Sequence, residues 1–139
     1  MNNSIGIIIV AHAPMAGALY AGARHCSQSL EHVRTLDVDP DTPPEQTEAS
    51  VLTLIEEVDT GAGCLVLTDI VGATPSNASA RAAARARAQG RSVEVLTGAN
   101  TPMLLRALTY RCLPLEEAAE RALAGAQKAM LRLDVNEQD

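Results

Sequence analysis

Ile5-Gly6-Ile7-Ile8-Ile9-Val10-Ala11-His12-Ala13-Pro14 is the stretch on which the fold turns. Its first six residues are almost wholly apolar and mostly β-branched. Such a run reads as a strand buried on both faces, the kind found in the middle of a parallel sheet. The chain turns polar at one residue, His12, and Pro14 restarts it as a helix, since proline at the first helical position gives up an N–H that has no partner there. His12 is therefore expected at the carboxyl end of a central strand, beside a helix N-terminus. In open α/β sheets that is where ligands and chemistry gather.

Working outward, the segment to about Ser29 is rich in Ala and Gly and predicts a helix with Met15, Leu19 and Ala23 on one face. His32 to Val38 alternates and predicts a shorter, more polar strand. Asp39-Pro40-Asp41 is a turn; Thr42 with Glu45 fits a capping box, and Pro43 and Pro44 suit a first helical turn. The next helix runs to about Val58, with Val51, Leu54, Ile55 and Val58 inward, and Gly61 and Gly63 end it. Cys64 to Thr68 is a second continuous apolar strand, closed by Asp69. After Ile70-Val71-Gly72-Ala73, Thr74 caps a helix opened by Pro75 that stops near Gln89-Gly90. Ser92 to Thr97 is a strand. Thr101-Pro102 repeats the same junction for a helix to about Arg111, and Pro114 opens a last helix to about Lys128. Met130 to Val135 alternates and predicts a short terminal strand.

Strands alternating with helices define an α/β fold: a three-layer open sheet, mainly parallel, with right-handed crossovers. The most polar strand belongs at an edge, which gives the spatial order 2-1-3-4 and a switch point between the first and third strands. His12 and Asp69 then fall at neighbouring strand ends and become candidates for one site.

The 139 residues make one domain with room for a sizeable core. There is no Phe or Trp and only Tyr20 and Tyr110, so the core is aliphatic and its helices pack closely on Ala-rich faces. Few aromatics speak against single-stranded nucleic-acid binding, which relies on stacking. A net charge of −6 speaks against general nucleic-acid or anionic-membrane roles and suits a basic protein partner. Cys26, Cys64 and Cys112 show no CxxC spacing and are expected as small buried or half-buried residues in a reducing compartment. No basic segment precedes the apolar N-terminal run, and no apolar stretch is long enough to cross a membrane, so the expected location is cytoplasmic.

A carboxylate beside a histidine fixes its tautomer and leaves the other ring nitrogen free to act as base or nucleophile. Helix N-termini, the Gly72–Ala73 loop and the Thr74 hydroxyl add donors for an anion. No GxxxxGK[ST] or GxGxxG motif is present, and no metal constellation, so neither a cofactor nor a bound metal is expected. On pattern alone His12 also fits a structural or solvated residue, and Asp69 a helix or loop cap. His25 and His32, far from the switch point, are read as solvated; Met15 and Tyr20 as core or rim; Arg81, Arg85, Arg87 and Arg91 as a solvated helix face.

Three blocks carry a resemblance over essentially the whole chain: Ile8-Ile9-Val10-Ala11-His12, Thr68-Asp69-Ile70-Val71-Gly72-Ala73-Thr74-Pro75-Ser76-Asn77, and Thr97-Gly98-Ala99-Asn100-Thr101-Pro102-Met103-Leu104. The second is similar to an Asp-Thr-x-Gly-Gly-Ser-Pro-x-Asn loop and the third to a Gly-x-Asn-x-Pro-Met-Leu segment. Together they resemble the IIA domains of the mannose class of the bacterial phosphoenolpyruvate-dependent sugar phosphotransferase system. The resemblance implies that residues 1–135 form a phosphocarrier domain, followed by a short acidic tail, 136–139. It implies that His12 accepts a phosphoryl group from phospho-HPr and passes it to a IIB component, or signals by its phosphorylation state. Asp69 carries over as the orienting carboxylate and Thr74 as the hydroxyl beside the histidine, with Gly72, Ala73 and Thr74 around the phosphoryl group. A homodimer exchanging a terminal antiparallel strand is also implied, a part that falls to Met130–Val135. The chain departs from the pattern at Ile70, Val71 and Ala73, which touches affinity for a particular IIB. It ends soon after the domain, so a carrier without a fused IIB is expected. The alternatives are the phosphotransferase subunit of a dihydroxyacetone kinase, which the Gly98–Leu104 block disfavours, a regulatory docking module whose His12 is never phosphorylated, and, more distantly, a hydrolase using His12 and Asp69.

Overall fold

A computed structural model describes residues 4–26 and 29–136. Four parallel strands, β1 (Gly6–His12), β2 (Val33–Val38), β3 (Cys64–Thr68) and β4 (Val93–Leu96), lie in the order β2-β1-β3-β4. Five helices connect and cover them: α1 (Met15–Ala23), α2 (Pro44–Val58), α3 (Thr74–Ala88), α4 (Thr101–Thr109) and α5 (Leu115–Lys128). The expected α/β architecture and strand order are present.

The two-residue alternation of β1 divides the core. Ile7 and Ile9 face a layer made by α1, α4 and α5, where Met103, Leu104, Ala118 and Ala122 are buried. Ile8 and Val10 face α2 and α3, where Val51, Ile55, Val58, Ala82 and Ala86 are buried. Both faces of β1 are covered, which is why its sequence shows no polar alternation. With alanines on its inner face, α3 comes close to α2, and Glu48 is held between Arg81 (2.9 Å) and Arg85 (3.1 Å) across that seam. Gly6 has no room for a side chain: a Cβ there would lie 2.6 Å from the Val58 carbonyl oxygen.

Several local expectations are corrected. Helix α1 stops at Ala23, because the amides of His25 and Cys26 bond back to Gly22 and Ala23 in tight turns that leave the helix; of the stretch expected to continue it to about Ser29, residues 27–28 lie outside the described residues. Its inner face is Ala16 and Ala23 flanked by half-buried Leu19 and Tyr20, and Met15 is exposed. The Thr42–Glu45 capping box is absent: two consecutive prolines hold the entry extended, so Pro43 is the N-cap residue and gives no side-chain bond. Thr74 is the first helical residue, with Ala73 as N-cap, and Asn100 rather than Thr101 caps α4, accepting from the Met103 amide at 2.9 Å. Cys64 is buried as expected, and burial pushes its thiol pKa up, whereas Cys26 and Cys112 are exposed. Arg81, Arg85 and Arg87 lie on an exposed helix face, as expected, with Arg91 half-buried, and all four also make ion pairs: Arg91 bridges to Asp59 (3.0 Å) and Arg87 to Glu94 (3.3 Å), besides the Glu48 pair. Met130–Val135 forms no strand; a strand exists only within a ladder, none runs beside this segment, and Met130, Leu131, Leu133 and Val135 are exposed. Of the acidic tail, residues 137–139 lie outside the described residues.

Candidate active site

The β1–β3 register pairs Val10 with Thr68, so Asp69, one residue further on, and His12, two residues further on, emerge together at the carboxyl edge of the sheet. Asp69 Oδ2 accepts twice from His12: from the backbone N–H at 3.0 Å and from ring Nδ1 at 2.8 Å. Its Oδ1 accepts from the Ile70 amide at 3.0 Å. The carboxylate is sealed in, 3% exposed, while the imidazole is 42% exposed. Burial disfavours the carboxylate's charge, but the bonds from the His12 ring and backbone outweigh it and hold Asp69 below the ordinary carboxylate range. An ionised carboxylate can only accept, so the Nδ1 proton lies in the 2.8 Å bond, and in the neutral form of the ring the lone pair is on Nε2.

The loop behind this pair is pinned from β4: the Gly98 amide bonds the Asp69 carbonyl (3.1 Å) and the Ala99 amide the Thr68 carbonyl (2.9 Å). Gly72 lies at φ +85, a turn that glycine makes without strain. The turn at 71–72 brings the Ala73 amide back toward the Ile70 carbonyl. The amides of Val71 and Gly72 make no hydrogen bond among the described residues, and neither does the Thr74 hydroxyl. They remain available as donors at the N-terminus of α3. The α1 N-terminus differs. Asp37, at the end of β2, accepts there from the amides of Ala16 (2.9 Å) and Gly17 (3.3 Å). An anion at the site therefore finds its backbone donors on the α3 side.

Sequence reasoning brings His12, Asp69, Gly72, Ala73 and Thr74 to one edge of the sheet, and all five are found there. It missed Asp37, whose signal was an acidic residue one position before the end of the edge strand. It also missed Ser76, which bonds the Ile70 carbonyl at 2.6 Å and whose signal, a serine among alanines in a helix, is weak. His25 is exposed and His32 half-buried, remote from this edge. Three apolar side chains are exposed on the segments that carry the site: Met15 (43%), Ile70 (55%) and Val71 (75%). Among the described residues no group of three or more His, Cys, Asp or Glu is placed to hold a metal ion.

A parallel α/β sheet with a carboxylate-held histidine at its switch point defines the class of protein, and comparison with known proteins gives the family. The EIIA-man family model, described as the PTS system fructose IIA component, matches residues 6–124, and the chain belongs to that family. Among solved structures it is similar to the mannose/sorbose-specific IIA subunit of the phosphotransferase system from Enterococcus faecalis, with TM-score 0.82, 22% identity, and coverage of 98% of this chain and 99% of that one. The phosphotransferase system component EIIA from Streptococcus agalactiae gives TM-score 0.82 at 21% identity over 92% and 96% of the two chains. A PTS IIA protein associated with the fucose utilization operon of Streptococcus pneumoniae gives 0.73 at 25% identity over 93% of each chain. At these identities the similarity is one of fold.

Proposed function

We propose that the chain is a phosphohistidine carrier in which Nε2 of His12 takes a phosphoryl group from phospho-HPr and hands it to a IIB component. The observation that carries this reading is the 2.8 Å bond between Nδ1 and the buried Asp69, which occupies Nδ1 and leaves Nε2 of the half-exposed ring as the nitrogen that can attack in its neutral form. In the transfer, the bond from phosphorus to the donor's nitrogen breaks and its electron pair stays on the donor. The Nε2 lone pair forms the new bond, and the imidazole becomes cationic, which the Asp69 carboxylate stabilises across the Nδ1–H bond. The amides of Val71, Gly72 and Ala73 and the Thr74 hydroxyl are the donors offered to the phosphoryl oxygens. Delivery to IIB runs the same steps in reverse. Exposed Met15, Ile70 and Val71 give a protein partner an apolar surface beside His12.

The working form in this reading is a cytoplasmic homodimer. Among the described residues no helix is long and apolar enough to cross a membrane. The alternating, exposed Met130–Val135 segment offers apolar side chains and free backbone groups, and β4 is an edge strand that can receive them beyond its Val93 carbonyl, which Arg87 holds. Incubation with phosphoenolpyruvate, enzyme I and HPr, followed by intact-mass analysis at alkaline pH, tests the carrier reading. The expected result is a gain of one phosphate, absent in His12→Ala with its circular dichroism unchanged. No gain while HPr itself is phosphorylated overturns it.

A further inference from the structure

Ser76 stands in the first turn of α3, at a position that the family pattern leaves open, and it is 8% exposed. Three short contacts meet at its Oγ and a fourth adjoins them. Its Oγ lies 2.6 Å from the Ile70 carbonyl, 2.7 Å from Thr68 Oγ1 and 3.2 Å from Thr97 Oγ1, and Thr68 Oγ1 lies 3.0 Å from the Leu96 carbonyl. Three hydroxyl protons serve these four contacts, since each hydroxyl carries one. A carbonyl has no proton to give, so the 2.6 Å contact is a bond only with the Ser76 proton in it. Thr97 then donates to Ser76, and the single Thr68 proton is shared between Ser76 and the Leu96 carbonyl. Ser76 is thus a hub that collects threonine protons and drives its own into the loop, and each bond in such a chain strengthens the next.

The consequence falls on one peptide group. A trans peptide is planar, so its C=O and N–H point in opposite directions. The Ile70 carbonyl is drawn inward to Ser76, which turns the Val71 N–H to the exposed side of the loop that carries Asp69. We propose that Ser76 is a positioning residue: fed by Thr68 and Thr97, it locks the Ile70–Val71 peptide so that the Val71 N–H joins the donors offered to a phosphoryl group on His12. The phosphoryl part of this inference rests on the carrier reading above; the peptide lock does not.

Nitrogen-relaxation NMR on the unphosphorylated protein tests the lock. The Val71 and Gly72 amides of the wild type are expected to be ordered, with S² near about 0.85, and in Ser76→Ala to fall below about 0.6. Ser76→Thr, which keeps the hydroxyl, restores them. Thr68→Val keeps Ser76 but removes one proton source, gives an intermediate value, and decides the matter if Ser76→Ala fails to fold. Unchanged order parameters in both Ser76→Ala and Thr68→Val overturn the lock. Transfer from phospho-HPr tests the rest: kcat in Ser76→Ala drops about five- to tenfold, the scale of one lost hydrogen bond, while KM stays within about twofold. An unchanged kcat in Ser76→Ala overturns the positioning role. If the wild type takes no phosphate, the carrier reading fails, and the order parameters alone still decide whether Ser76 holds the peptide.

Discussion

His12 and Asp69 are 57 positions apart in sequence and share one carboxylate oxygen for two bonds. Each was legible alone, as the polar residue that ends an apolar strand; their meeting followed only from the strand order. Asp37 and Ser76 were not legible in the same way. Both act on backbone groups, and a side chain that bonds a backbone leaves little pattern in sequence, because any backbone is a partner. Asp69→Asn is expected to slow transfer. An amide side chain has no charge to stabilise the phosphoimidazole and can meet Nδ1 with either its oxygen or its NH2. Losing a charged hydrogen bond of about 1.5–3 kcal/mol slows transfer about ten- to hundredfold. Rapid-quench measurement of transfer from phospho-HPr checks this, and a rate within twofold of wild type removes Asp69 from the mechanism.

Among the elements, the strands were the easiest to read. β1 and β3 are buried on both faces, so burial alone writes their sequence. The helix ends were harder, because an N-terminus can be satisfied from within or from elsewhere. Thr42 and Thr101 look like caps by type, but tandem prolines move the first cap and Asn100 takes the second. The turn from α2 to β3 shows what does hold an end. There Asp59 Oδ1 accepts from the amides of Gly61 (2.9 Å) and Gly63 (3.0 Å), and Oδ2 meets Arg91 (3.0 Å). Burial raises the cost of its charge, yet these bonds together hold the carboxyl below its ordinary range. Such a carboxyl contributes stability that is complete above its unfolded pKa, about 3.9, and is lost as pH falls through the lower folded value. Asp59→Asn is therefore expected to cost about 1–2 kcal/mol at pH 7. In urea titrations the gap to wild type should close as the pH drops below about 3. A gap that is constant across that range contradicts the assignment.

For the whole molecule, composition foretold an aliphatic core with closely packed alanine-bearing helices, and the two buried clusters on either side of the sheet are of that kind. The terminal segment is where a single chain says least. Met130–Val135 has the alternation of a strand but no neighbour along which to form one. Its apolar residues are exposed in the isolated chain, and the homodimer reading gives them a place on the β4 edge of a second copy. Sedimentation analysis at micromolar concentration is expected to show a dimer, and a chain truncated after Ala129 a monomer with its secondary structure retained. A full-length monomer contradicts the exchange and leaves the carrier chemistry untouched, since His12 and Asp69 come from one chain.

In the carrier reading Asp69 reserves Nδ1 and leaves Nε2 to accept the phosphoryl group. Phosphorus- and nitrogen-detected NMR of the ring-labelled protein, phosphorylated through HPr and held at alkaline pH, reads the bond directly. Phosphorus is expected to couple to Nε2 of His12, with the proton retained on Nδ1. Phosphorus on Nδ1, or on any residue other than His12, contradicts it.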